Sequence, residues 1–124
     1  MNEQIYQEVF DNIEPFLPQK WNTLIYRCFY TQGSWSMKFY VKQDDEKFID
    51  CFKISSNRKL LLQTFQKIER ILSSARNETT DKNRWTTVTL IVNADGDFKA
   101  DYSYIDLSEN MVSYTEEWEK KYLI

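Results

Sequence analysis

Gly33 and Gly96 are the only glycines among the 124 residues, and Pro15 and Pro18 are the only prolines. A chain with so few residues suited to tight turns is not a loop-dominated scaffold and must consist of fairly regular elements joined at few sharp corners. Both glycines fall between runs of alternating apolar residues, in Gln32-Gly33-Ser34 and in Asn93-Ala94-Asp95-Gly96. Those are the positions where an antiparallel meander needs its turns.

The intervening runs fit that scheme. Ile5, Val9, Ile13 and Phe16 recur at spacings of three and four, predicting a helix over residues 3–17 that Pro18 stops. Period two follows, with Leu24, Tyr26, Cys28 and Tyr30 on one face of a first strand and Trp35, Met37, Phe39 and Val41 on one face of a second. A polar connection, Gln43-Asp44-Asp45-Glu46, leads to a shorter third strand over Lys47–Ile54. Leu60, Leu61, Phe65, Ile68, Leu72 and Ala75 then mark the core stripe of a helix over 57–76. A polar loop, 77–84, precedes the β-branched fourth strand, Trp85–Val92, and a fifth strand returns over Asp97–Tyr104. Residues 105–112 read as irregular, and Ser113-x-x-Glu116 as a capping box opening a short last helix with Trp118 and Tyr122 inward. The expected fold is a single α+β domain over 1–124. It has an antiparallel sheet of about five strands, two main helices and a short C-terminal helix, in the order α-β-β-β-α-β-β-α.

Composition narrows the function. No stretch approaches the roughly 18 apolar residues of a membrane span, and the N-terminal residues lack a basic, apolar leader, so a cytoplasmic protein without membrane contact is expected. Cys28 and Cys51 lie inside apparent strands and read as buried free thiols. Net charge is −3, with the acid concentrated in the C-terminal third: Val92–Ile124 holds 8 acidic and 3 basic side chains. Such a chain suits a basic protein partner better than nucleic acid, which needs a basic face. Tyr26, Tyr30, Trp35 and Phe39 beside Arg27 and Lys38 would serve as base-stacking platforms only if exposed, and their alternation marks them as core.

Catalysis has little to work with. Histidine is absent, which removes the commonest general base, the Ser-His and Cys-His nucleophile pairs and most zinc sites. Asp95, Asp97 and Asp101 are the one carboxylate set that a metal-dependent hydrolase would use. The glycine and terminal glutamate placement of a calcium loop is missing, and Lys99 interrupts the set. Neither an enzyme nor a cofactor or metal is expected.

The most informative stretch runs from Asp95 to Asp106. Phe98, Ala100, Tyr102 and Tyr104 share one side of the fifth strand, and Asp97, Lys99, Asp101 and Ser103 the other. Asp106, Glu109, Tyr114, Glu116 and Glu117 continue the mixture of tyrosine and acid beyond it. Tyrosine offers large contact area at fixed geometry, and carboxylates steer a basic partner. Asp97, Asp101, Tyr102, Tyr104, Asp106 and Glu109 are therefore the expected partner-binding residues, with the tyrosines as anchors if they face outward.

The motif Ile13-x-x-Phe16-x-Pro18-x-x-Trp21, the aromatic strand after it, Trp85-Thr86, and Gly96-x-Phe98-Lys99-x-Asp101-Tyr102-x-Tyr104 together carry a resemblance. In order and spacing the chain resembles the YezG-like immunity proteins (antitoxins) of Gram-positive bacteria, from about Ile5 to Tyr122. These are often encoded beside secreted LXG-type polymorphic toxins. The resemblance implies a cytoplasmic protein that binds the basic C-terminal domain of a cognate toxin, commonly a nuclease, and neutralises it. The short last helix departs from the family pattern, so no partner-contacting role passes to Trp118 or Tyr122. The alternative is a general interaction or adaptor domain with no toxin partner. Oligomeric state is left open.

Overall fold

Strand β1 (Thr23–Thr31) is buried almost from end to end, although its side chains alternate between two faces. A strand reads that way only when both faces are covered. The computed structural model describes residues 3–43, 47–79 and 84–124, and it shows both covers. β1 lies at the centre of a five-stranded antiparallel sheet with β2 (Ser34–Lys42), β3 (Ile49–Asp50), β4 (Thr87–Asn93) and β5 (Phe98–Ser103), in the spatial order β3-β2-β1-β4-β5. Its register runs from Thr23 opposite Lys42 to Thr31 opposite Ser34 on one side, and from Thr23 opposite Asn93 to Phe29 opposite Thr87 on the other.

Leu24, Tyr26, Cys28 and Tyr30 face helices α1 (Glu3–Ile13) and α3 (Arg58–Asn77). α1 seats Val9 and Ile13 there, and α3 seats Leu61, Phe65, Ile68 and Leu72 at spacings of three and four. A 3-10 turn, Glu14–Phe16, closes α1 with Pro15 at its start. The Asn57 side chain caps α3, its Oδ1 accepting the Leu60 N–H at 3.0 Å. Leu60 itself leaves the expected stripe: its side chain is 48% exposed, and Thr64 takes the inward position. Cys28 and Cys51 are buried free thiols, as expected.

The opposite face carries a second core. Ile25, Phe29 and Tyr40 pack with Leu107 and with Trp118 of the last helix, α4 (Met111–Tyr122). The sequence assigned the core to only one set of alternating residues, because the cover for the other set lies far along the chain. The order α-β-β-β-α-β-β-α is present, with one addition. Residues 47–54 do not form a strand throughout: pairing stops at Asp50, whose carboxylate accepts the Phe52 N–H at 2.9 Å and starts a single helical turn, α2 (Cys51–Ile54). α4 also begins earlier than its motif suggested. Asn110 precedes its first turn without a side-chain cap, and Ser113 lies inside the helix rather than at its cap. The connection at 43–46 and the loop at 77–84 lie partly outside the described residues.

Candidate protein-binding surface

The hairpin that carries the expected site is shaped by Gly96. Ala94-Asp95-Gly96 forms a three-residue loop, Gly96 at φ +102° donates to the Asn93 carbonyl at 3.0 Å, and Asn93 donates to the Asp97 carbonyl at 2.8 Å. A positive φ at the loop's last position is what such a hairpin requires, and glycine adopts it without strain. The Asp95 carboxylate accepts the Asp97 N–H at 3.1 Å, which turns both acids outward at the tip.

At the other end of β5, Trp85-Thr86 does the positioning. Trp85 is buried against Tyr30 and Tyr102, with ring centroids 5.5 and 5.8 Å away, and its carbonyl accepts Arg76 Nε at 2.7 Å. The neighbouring Thr86 hydroxyl donates to the Ile105 carbonyl at 2.6 Å, and Thr86 N–H donates to the Ser103 carbonyl at 2.8 Å. Two residues further on, Leu107 is buried in the outer core. The chain is thus pinned on both sides of Tyr104 and Ile105, which stand 59% and 64% exposed.

The six expected site residues divide by what holds them. Asp97, Tyr104, Asp106 and Glu109 are exposed. The Asp106 carboxylate accepts the Ser108 amide at 3.0 Å and its hydroxyl at 2.7 Å, and those bonds hold it below the usual carboxylate range, so it stays charged near neutrality. Tyr102 turns to the α1 side, half-buried, with its hydroxyl on that of Tyr6. Burial first, and the bond to Tyr6 second, raise its ionisation well above that of a free tyrosine. Asp101 faces α4, accepting Tyr122 Oη at 2.8 Å with Lys99 Nζ 3.7 Å away. That side of β5 is therefore only partly the solvated face its sequence suggested.

These residues do not converge on a pocket. Asp97 and Tyr104 lie seven residues apart along extended chain, about 23 Å at the usual rise, so the expected residues are spread along the edge strand and into the segment that follows it. Among the described residues, no three His, Cys, Asp or Glu side chains gather as a metal would require. Tyr26, Tyr30 and Phe39 are buried and offer no stacking face to a base, whereas Trp35, expected in the core with them, is 38% exposed near the start of β2.

Beside this edge strand runs a groove of about 710 Å³ between α4 and the outer side of β4–β5, with Thr87, Thr89 and Asp101 on its floor and Tyr114, Glu117 and Tyr122 on its wall. Thr87 Oγ1 is buried there without a hydrogen-bond partner among the described residues. The sequence reading missed the groove, yet a signal existed: Tyr114, Trp118 and Tyr122 recur every four residues, which predicts an aromatic stripe docked on a sheet. It also missed Ile105 and Val112, large apolar side chains left exposed among acids without any periodicity to bury them.

Among comparisons with known proteins, the family model described as immunity protein YezG-like matches residues 2–124. No curated protein matches the chain.

Proposed function

The chain belongs to the YezG-like immunity protein family, and from that premise we propose that it neutralises a cognate secreted toxin of the LXG type by direct contact in the cytoplasm. The surface we assign is the edge formed by β5 and the 104–110 segment. Asp97, Asp106 and Glu109 supply charge, Tyr104 and Ile105 supply apolar contact, and Asp101 and Tyr102 support the strand from its two faces.

The observation that carries this reading is the pairing of exposed Tyr104 and Ile105 with the fixed, ionised Asp106 beside them. Large apolar side chains held outward by a pinned backbone lose little conformational freedom on binding, so they make efficient anchors. Carboxylates spread along the edge match a basic surface. On a nuclease they would occupy positions that its substrate phosphates otherwise take.

The test is co-expression with an LXG-type toxin domain from the same genome. Wild-type chain should co-purify with it and suppress its activity, and Tyr104→Ala with Ile105→Ser should weaken the complex while leaving the melting temperature in place. Full inhibition by that double variant would remove this surface from the interface.

A further inference from the structure

A second cavity, about 350 Å³, lies on the other side of the β4–β5 hairpin, between that hairpin and α1. Two aromatic pairs wall it. Tyr6 and Phe98 have ring centroids 5.7 Å apart, and Phe10 and Trp21 have theirs 6.0 Å apart. Glu3 and Glu14, both exposed, also line it, and among the described residues no lysine or arginine does. Trp21 and Phe98 belong to separate sequence motifs, and only the fold brings them to one pocket.

The walls are held from behind. Asn22, next to Trp21, donates its N–H to the Lys42 carbonyl at 2.8 Å, and its carbonyl accepts the Ala94 N–H at 2.9 Å. The tryptophan segment is thus tied to the end of β2 and to the hairpin. Phe98, against the Tyr6 ring on one side, remains 46% exposed.

We propose that this pocket receives a cationic side chain, an arginine, from a basic protein partner. Aromatic faces carry negative potential and attract a guanidinium, which also stacks flat on a ring. The carboxylates of Glu3 and Glu14 add charge of the same sign and oppose an anion. An uncharged apolar group would contact the rings and leave both carboxylates without a counter-charge. The pocket extends the acidic tip of Asp95 and Asp97 onto the α1 side, so a partner straddling the hairpin would meet negative potential on both faces. This assignment concerns the pocket alone and holds whatever the partner's activity.

The experiment uses the whole chain and no toxin. An acetylated, amidated Gly-Arg-Gly peptide and its citrulline twin, equal in shape but uncharged, are titrated while the Trp21 indole and the 93–98 amides are followed by NMR. The arginine peptide should shift these signals saturably and bind about tenfold more tightly than the citrulline peptide, a ratio typical of a partly desolvated cation on aromatic rings. Phe98→Ala and Glu14→Gln, both at exposed positions, should each weaken binding while leaving the remaining spectrum in place. Equal binding of the two peptides would make the pocket an apolar site and overturn the proposal. So would shifts confined to 104–110, no shift at all, or binding unchanged by Phe98→Ala.

Discussion

Tyr122 donates its hydroxyl proton to Asp101 Oδ2 at 2.8 Å, which ties the last helix to the strand that bears the acidic edge. Through this bond an acid of the proposed binding edge and the outer core share one set of contacts. Tyr122→Phe should therefore lower stability by about 1 kcal/mol, the usual net worth of such a hydrogen bond. Denaturant unfolding measures it, and an unchanged midpoint would mean that the bond is replaced by water at no cost.

Charge and contact should separate kinetically. Changing Asp97→Asn, Asp106→Asn and Glu109→Gln together spares the Tyr122 bond and removes three exposed charges. Association with the toxin domain is expected to slow by about tenfold at low salt and far less at high salt, with dissociation little altered. Stopped-flow or surface binding at two ionic strengths reads this directly. A salt-independent loss would point to lost contacts instead.

Arg27 and Trp118 make a contrasting pair in the outer core. The Arg27 guanidinium carbon lies 4.2 Å from the centroid of the Phe29 ring and 5.3 Å from that of Trp118, while its Nε and Nη1 are buried without hydrogen-bond partners among the described residues. Trp118 fills the gap between Phe29 and Tyr40 and donates Nε1–H to Thr89 Oγ1 at 2.9 Å. Trp118→Ala should cost about 3–5 kcal/mol. Arg27→Met keeps the packing and removes a buried charge whose Nε and Nη1 have no hydrogen-bond partner among the described residues, so it should leave stability equal or higher. Thermal and urea unfolding should therefore show a large loss for Trp118→Ala and none for Arg27→Met.

Two pH limits follow from the buried and hydrogen-bonded groups. Burial, followed by the bond to Asp101, pushes the Tyr122 hydroxyl up to about 12, and burial likewise raises Tyr26, Tyr30 and Tyr102. Their folded values exceed the unfolded one, near 10 for tyrosine. Their contribution to stability is thus complete below about pH 10 and is lost as pH climbs through the folded values. Tyr122→Phe should make that alkaline loss shallower, as followed by circular dichroism and tyrosinate absorbance.

Asp50 sets the acid limit. Burial disfavours its charge, but the bonds from Lys38 Nζ at 2.8 Å and from the Phe52 amide outweigh that and hold its carboxyl below the usual range. Stability from a depressed acid is present above the unfolded value, near 4, and is lost as pH falls through the folded one. Asp50→Ala should cost about 1 kcal/mol near neutrality, in the range for a lost cap, and should flatten the acid side of the stability profile.

Much of this was legible from residue patterns. The hairpins at Gly33 and Gly96, the crossover helix and the two faces of β5 each follow from local period and turn chemistry. What escaped depended on distant partners. Ile25 and Phe29 look like solvent-side residues until Trp118 is seen to cover them. Asp50 looks like part of a strand until its carboxylate takes the Phe52 amide. Tyr102 and Tyr104 occupy equivalent strand positions, yet Tyr6 and Trp85 meet the first and leave the second in solvent, a difference no spacing rule encodes.

The two-sided burial of β1 also has a consequence in time. Its inner face can be covered once α3 has been synthesised, but its outer face depends on Leu107 and Trp118, far later in the chain. Contacts of such long sequence separation close slowly. Throughout that interval Phe29, Tyr40 and the stem of Arg27 form a bare, greasy panel on a nascent chain. A stretch made some eighty residues after β1 is the one that hides it.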